Sequence, residues 1–291
     1  MAIGPLTIAL YEQMARDGLF RTGMAICELG SEDMAAKGYD DLIGRLFSTM
    51  GVQRPSPEEL RALSLGAARD FYVALGCSYR CIDTDARHEA ITLDLNFDTV
   101  PIEHRGRYDL VTNIGTNEHV FADANAFRVA HDLAKTDGLI IHVLPFRGYL
   151  NHGFRNYQPD FFRFVARSNG YDFLGFWLSI HDTIGSLIPF EERLLEYLDF
   201  KPVANVALVA LYRKPQDLPF NVPMQRGYEG SINDDASFRY RYVVDGELMN
   251  GKLVKEIVVT RRRHLFELPV PEMAKLTLRE FVARGRRKMG I

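Results

Sequence analysis

Residues 24–34 read Met-Ala-Ile-Cys-Glu-Leu-Gly-Ser-Glu-Asp-Met, a short apolar run that ends in an acidic residue and a glycine. Similar apolar runs occur at residues 79–82, 90–93, 108–111 and 139–143. Runs of this kind are typical of buried parallel strands. Ligands of open α/β sheets bind beyond the carboxyl ends of such strands. The polar residues that follow each run are therefore the first candidates for a functional site.

Helical patterns alternate with these runs. Apolar spacing or capping signals predict helices at residues 6–17, 39–50, 57–75, 117–135 and 159–169. Ser56 is the clearest start signal, because a proline and two glutamates follow it directly. Alternating strands and helices predict a doubly wound α/β sheet of mostly parallel strands. Residues 171–180 and 203–212 predict two further strands.

The character of the chain changes after Pro215. We predict an α/β domain over residues 1–214 and a small β-rich extension over residues 215–291, with antiparallel strands and a basic helix. From Arg261 to Ile291 there are nine basic and three acidic residues, in a chain of net charge −3. Such an end binds nucleic acid, an acidic partner or an anionic substrate, or forms a solvated helix face. The extension is also a candidate surface for homodimer formation.

Composition excludes several classes of protein. The 291 residues are 47% apolar and 25% charged, as in ordinary globular domains. No apolar run reaches the roughly 18 residues that a membrane helix needs, so we expect no membrane contact. The amino terminus lacks the basic segment of a signal peptide. Three cysteines, Cys27, Cys77 and Cys81, suit a reducing compartment, and we expect a cytoplasmic protein.

The order of these motifs resembles that of the class I S-adenosylmethionine-dependent methyltransferases, over roughly residues 20–213. In that family the first strand ends in the pattern Glu/Asp-x-Gly-x-Gly-x-Gly. Glu28 and Gly30 match it, whereas Glu32 and Met34 stand at the second and third glycines. The resemblance implies a Rossmann-like sheet, mostly parallel with an antiparallel last strand. It also implies S-adenosyl-L-methionine as the cofactor.

The resemblance further implies which residues contact the cofactor. Asp83 matches the acid that accepts hydrogen bonds from the ribose hydroxyls, since a carboxylate has several acceptor sites. Asp94 matches the acid that accepts from the adenine amino group, and Leu95 supplies contact with the ring. Both acids have a structural alternative as turn or capping residues. The other expected cofactor contacts are Glu28, Gly30, Ser31, Asn113 and Gly115.

The fourth strand and the loop after the fifth strand supply candidate catalytic and substrate residues. His119 is a candidate general base and Glu118 a candidate group to orient it. The alternative is that Glu118 caps a helix and that His119 only packs. The expected substrate contacts are His142, Arg147, His152 and Tyr157. No histidine pair has the spacing of a metal site, so we expect no metal.

These residues predict methyl transfer to an oxygen or nitrogen atom of a small-molecule acceptor by in-line displacement. One alternative is a non-catalytic or repurposed member that binds the cofactor within a complex. A second is a nucleic-acid methyltransferase that uses the basic end, although no Asn/Asp-Pro-Pro-Tyr/Phe motif follows the fourth strand. A nicotinamide-dependent oxidoreductase is disfavoured, because the chain lacks the Gly-x-Gly-x-x-Gly turn.

Overall fold

A computed structural model of the protein describes residues 2–180, 186–195 and 205–224. The strands in these ranges are β1 (Ala2–Ile3), β2 (Ala25–Leu29), β3 (Asp33–Met34), β4 (Ser78–Asp83), β5 (Ile91–Thr92), β6 (Tyr108–Ile114), β7 (Ala134–Arg147), β8 (Asp172–Ile180), β9 (Ser186–Pro189) and β10 (Val206–Arg213). The helices are α1 (Pro5–Arg16), α2 (Asp40–Thr49), α3 (Pro57–Leu63), α4 (Ala68–Ala74), α5 (Asp123–Leu133) and α6 (Pro159–Ser168). Three short 3-10 turns span Arg87–Glu89, Ile102–His104 and Asn117–His119.

The main sheet has the strand order β5-β4-β2-β6-β7-β10-β8-β9. The pairs from β5 through to β7 are all parallel. Strand β10 is antiparallel to both of its neighbours, and β9 is antiparallel to β8. Strands β1 and β3 form a separate parallel pair. The main sheet is therefore the doubly wound, Rossmann-like sheet predicted from the sequence, mostly parallel and with the predicted antiparallel strand at β10.

The chain reverses direction across the sheet between β2 and β6. From β2 it moves outward through β4 to β5, and it then returns to the other side of β2 with β6 and β7. Backbone hydrogen bonds hold the strand ends in register on both sides of this point. Gly30 N donates to Ile82 O of β4 at 2.8 Å, and Gly115 N donates to Val143 O of β7 at 2.8 Å. Ligands of such sheets bind at this switch point.

Two predicted helices differ in extent from those observed. The helix predicted at 57–75 is divided into α3 and α4, because the linker carbonyls of Ser64 and Gly66 accept hydrogen bonds from Ala36 and Met34. The Ser56 start signal is confirmed, since its side chain and that of Glu59 form a capping box. The helix predicted at 117–135 begins only at Asp123, after the 3-10 turn Asn117–His119.

Much of the predicted extension lies outside the described residues. The antiparallel strands, the basic helix and the pairing of two copies through them all fall beyond residue 224, and they stay predictions. Contacts divide the chain into residues 1–245 and 246–291, and every described residue belongs to the first unit. Among the described helices, none has both the length and the hydropathy to span a bilayer. The three cysteines are buried free thiols, and the cytoplasmic location stays a prediction.

Candidate functional site

Two cavities lie at the carboxyl ends of the central strands. The first, here called the carboxylate cavity, has a volume of ≈ 380 Å³. Its lining includes Gly30, Ser31, Asp83, Asp94, Leu95 and His119. The second, here called the apolar cavity, has a volume of ≈ 420 Å³, and its lining includes Leu6, Leu10, Ile114, Val143, Ile180 and Leu187. Both volumes lie within the range of about 300–1,000 Å³ typical of small-molecule sites.

The turn after β2 depends on glycine at position 30. Gly30 has a φ of +92°, which L side chains rarely adopt, and a Cβ built there would lie 2.8 Å from Thr116 Oγ1. Thr116 cannot easily withdraw, because its hydroxyl donates a hydrogen bond to Leu29 O at 2.5 Å. The matched glycine of the family pattern is therefore a geometric requirement of this turn.

Asp83 joins the ends of β2 and β4. Its Oδ2 accepts hydrogen bonds from the backbone amide of Ser31 at 2.8 Å and from the Ser31 hydroxyl at 2.7 Å. Its Oδ1 accepts from the amide of Thr84 at 2.7 Å. Partial burial raises the pKa of Asp83, but these hydrogen bonds outweigh it and the net pKa is lowered. Asp83 is thus an ionised acceptor on the wall of the carboxylate cavity.

Asp94 both forms a turn and lines the carboxylate cavity. Its Oδ1 accepts hydrogen bonds from the backbone amide and side-chain amide of Asn96, at 2.8 and 3.0 Å. Its own amide donates to Asp98 Oδ2 at 2.7 Å. Asp94 therefore forms a turn, as the structural alternative predicted, and it also lines the cavity where an adenine contact is expected. The neighbouring Leu95 is buried and adds an apolar wall.

Glu28 lies inside the core. Its carboxylate is completely buried and accepts hydrogen bonds from Tyr72 Oη at 3.0 Å and from Tyr79 Oη at 2.8 Å. Burial raises the pKa of Glu28 to about 7. The carboxylate therefore lies inside the core, where two tyrosines from α4 and β4 hold it, and its predicted contact with the cofactor stays a prediction.

Glu32 reaches the carboxylate cavity where the family pattern has a glycine. Its side chain is buried and lines the wall next to Gly30. Burial, and then the charge of Glu28, raise the pKa of Glu32 to about 8. In the sequence, Glu32 stands out only as a departure from the family pattern. The signal that points to it is an acid at a position where that pattern has a glycine.

The segment from Gly115 to His119 borders both cavities. His119 lines the carboxylate cavity, whereas Gly115 and Glu118 line the apolar cavity. The loop after β7 brings His152 to the same place, with its Nε2 3.6 Å from Glu118 Oε1 and its ring 5.0 Å from that of His119. Burial raises the pKa of Glu118 to about 7. Glu118 therefore lies beside His152, and its predicted role of orienting His119 stays a prediction.

Three other residues with predicted contacts, Asn113, His142 and Tyr157, lie in the core. His142 is buried among Phe127, Phe162 and Tyr212, and burial lowers its pKa to about 3. The buried side chain of Asn113 bonds His142 Nδ1 through its Nδ2 at 2.9 Å. Its Oδ1 accepts a hydrogen bond from the backbone N–H of Asn117 at 3.3 Å.

Tyr157 is the third of these residues. It is buried and donates a hydrogen bond to Asp123 at 2.7 Å. Arg147 ends β7, where it pairs in register with Val206, and its predicted substrate contact stays a prediction.

Comparison of the sequence with protein-family models and with curated proteins finds no match. Similar solved structures include a Burkholderia thailandensis 1,6-didemethyltoxoflavin-N1-methyltransferase with bound 1,6-didemethyltoxoflavin and S-adenosylhomocysteine, at 11% identity over 73% of this chain and 79% of that one, with a TM-score of 0.41. A putative sarcosine dimethylglycine methyltransferase from Galdieria sulphuraria has 11% identity, coverage of 71% and 83%, and a TM-score of 0.40. The cyclase SpnF has 11% identity, coverage of 72% and 82%, and a TM-score of 0.42. At these values the alignments provide no residue-level correspondence, and the fold assignment depends on the strand order of the sheet.

Proposed function

We propose that the chain is an S-adenosylmethionine-dependent methyltransferase that acts on an oxygen or nitrogen atom of a small-molecule acceptor. One observation carries the proposal: a polar cavity lined by strand-end carboxylates adjoins an apolar cavity at Gly115–His119. Methyl transfer needs two ligands held side by side with water excluded between them. Two cavities that border the same short segment offer room for a cofactor and an acceptor. The cofactor supplies a methyl group on a sulfonium, already activated for displacement.

The residues of the carboxylate cavity fit such a cofactor. Asp83 is an ionised acceptor next to the rotatable hydroxyl of Ser31, so a ribose hydroxyl has a carboxylate to donate to. Asp94 and Leu95 offer an acceptor and an apolar surface to the adenine ring. Glu32 is suited to the ammonium of the methionine part, because a buried acid gains most from a cationic partner.

The apolar cavity indicates the kind of acceptor. Its walls come mainly from aliphatic side chains, and the polar side chains of Glu118 and His152 lie near His119, which lines the carboxylate cavity. An acceptor with an apolar body and one polar nucleophile fits this distribution. A neutral amine or a carboxylate attacks without losing a proton first, whereas a hydroxyl must give its proton to a group at this junction.

Titration calorimetry with S-adenosylmethionine tests the proposal. We expect saturable micromolar binding by the wild-type protein and a loss of roughly tenfold or more in the Asp83→Ala variant, since a hydrogen bond to a charged group contributes about 1.5–3 kcal/mol. Asp70→Ala is the matched control, because Asp70 pairs only with Arg69 at the surface in the described part of the chain. A folded wild-type protein that binds no cofactor would contradict the proposal.

The replacement of two glycines of the family pattern by Glu32 and Met34 favours a second candidate function. In it, a repurposed protein binds the cofactor without transferring its methyl group. Glu32 fills space that the family leaves for the cofactor, and Glu28 is held by Tyr72 and Tyr79. Cofactor binding without formation of S-adenosylhomocysteine, across a panel of apolar amines, phenols and carboxylic acids, would favour this candidate. Salt-sensitive RNA binding would instead favour the nucleic-acid alternative.

A further inference from the structure

Three potential metal ligands meet at the junction of the two cavities. Glu118, His119 and His152 each offer one ligand atom, and the three atoms all lie within 4.8 Å of one another. Within the described ranges this is the one group of three or more such side chains. Two histidines and one carboxylate form the ligand set of many catalytic zinc sites and of non-haem iron sites.

The carboxylate of Glu118 supplies a second, independent observation. The side chain is 2% exposed, and its Oε1 is 3.6 Å from His152 Nε2, too far for a good hydrogen bond. Its Oε2 is buried without a hydrogen-bond partner among the described residues. A buried polar oxygen with no partner is costly, and a bound cation satisfies it.

We propose that Glu118, His119 and His152 bind a divalent transition-metal ion, with Zn²⁺ as the first candidate. Zinc binds these ligands at about 2.0–2.2 Å, which places tetrahedral ligand atoms about 3.4 Å apart. The present spacings, at most 4.8 Å, must therefore contract by up to about 1.4 Å. The two histidines are exposed side chains, one at the end of a 3-10 turn and one in a loop, so their rings have room to rotate.

The position of this metal site suggests that it activates the methyl acceptor, an inference that rests on the proposed function. Three protein ligands leave an open coordination position, and Glu118 and His152 line the apolar cavity where an acceptor binds. A hydroxyl held there releases its proton to solvent more readily. Its oxygen then bonds to the methyl carbon while the carbon–sulfur bond breaks, and the electron pair stays on sulfur in S-adenosylhomocysteine.

Cobalt and zinc titrations of the full-length, chelator-treated protein test the site. We expect one equivalent of Co²⁺ to give visible absorption bands of nitrogen and oxygen ligation, and Zn²⁺ to displace it. Glu118→Gln and His152→Asn should each weaken Co²⁺ affinity at least tenfold. His152→Asn alters an exposed loop residue, so it remains informative if Glu118→Gln fails to fold.

The chain contains a matched control for these variants. Glu103 and His104 form the same dipeptide at the end of another 3-10 turn, Ile102–His104, where the described residues supply no third ligand. The double variant Glu103→Gln, His104→Asn should bind Co²⁺ as the wild type does. An affinity unchanged by Glu118→Gln and by His152→Asn, or no binding at one equivalent, would overturn the metal site.

The cofactor titration separates this proposal from the proposed function. If metal-free protein binds S-adenosylmethionine but the cobalt titration fails, only the metal site is overturned. If Co²⁺ binds as expected and the cofactor does not, the site stands and the proposed function fails.

Discussion

The hydroxyl of Thr116 donates a hydrogen bond to the carbonyl oxygen of Leu29 at 2.5 Å, and this contact joins the carboxyl ends of β6 and β2. It places the Thr116 Oγ1 where a Cβ of residue 30 would lie and so explains why residue 30 is a glycine. The contact lies between the two cavities, since Thr116 lines the carboxylate cavity and Gly115 lines the apolar cavity.

Gly30→Ala should therefore lower the free energy of unfolding more than an ordinary substitution of glycine by alanine. Its Cβ would meet Thr116 Oγ1 at 2.8 Å in addition to the strain of a φ of +92°. Gly18→Ala is the matched control, with a φ of +71° and nothing within 4 Å of the new Cβ. We expect about 1 kcal/mol of destabilisation for Gly18→Ala and at least about 1–2 kcal/mol more for Gly30→Ala. Urea unfolding measures both, and equal effects would contradict the packing described here.

Glu28 should make the stability of the protein depend on pH. Burial raises its pKa from 4.5 to about 7, so between these values the native state holds a proton that the unfolded state has lost. The free energy of unfolding therefore falls as pH rises from about 4.5 to 7 and levels off above that. The full effect of such a shift is about 3 kcal/mol at most.

The Glu28→Gln variant tests this pH dependence. We expect a flatter profile of unfolding free energy against pH. The stability of the variant relative to the wild type should be higher at pH 8 than at low pH. Part of the pH dependence should remain in the variant, because the pKa of Glu32 is also raised. The exposed Glu103→Gln is the control. Parallel profiles for wild type and Glu28→Gln would show that this carboxyl does not titrate in that window.

Glu32 should recognise the amino-acid part of the cofactor. Glu32→Gln is expected to weaken S-adenosylhomocysteine binding about tenfold, since it removes one charge-assisted hydrogen bond. The same change should leave binding of methylthioadenosine, which lacks the ammonium group, nearly unchanged. Asp94→Asn should weaken both ligands, because both contain adenine. Calorimetry with the two ligands measures this, and an equal loss for both in Glu32→Gln would refute the assignment.

Tyr157 should matter for stability and not for ligand binding. Its hydroxyl donates to Asp123 at 2.7 Å inside the core, and Asp123 keeps Arg155 as a second partner at 3.4 Å. Tyr157→Phe should lower the free energy of unfolding by about 1–2 kcal/mol and leave cofactor affinity within twofold. A large loss of affinity in a stable variant would restore the direct substrate contact predicted from the sequence.

The sequence predicted the sheet and its strand ends well because these are local signals. Each apolar run ends where the strand leaves the core, so Asp83 and Asp94 could be located on the rim from neighbouring residues alone. The orientation of Glu28 could not be predicted in this way. Its partners Tyr72 and Tyr79 lie 44 and 51 positions away, and only the packing of α4 and β4 on β2 brings them together.

The same limit applies to the junction of the cavities. Glu118 and His119 were recognised together because they are adjacent in sequence. Their convergence with His152 depends on how the loop after β7 folds back, with Phe154 N donating to Glu118 O at 2.7 Å. No spacing rule contains that information. The burial of His142 could not be predicted for a related reason, since a histidine inside an apolar run gives no sign of the aromatic side chains that enclose it.

The most direct test of the central claim is an experimental structure of the complex with S-adenosylhomocysteine. We expect the ribose hydroxyls at Asp83, the adenine between Asp94 and Leu95, and the sulfur directed toward the segment Gly115–His119. A nucleoside bound elsewhere, or a carboxylate cavity that stays empty at saturating ligand, would contradict the account.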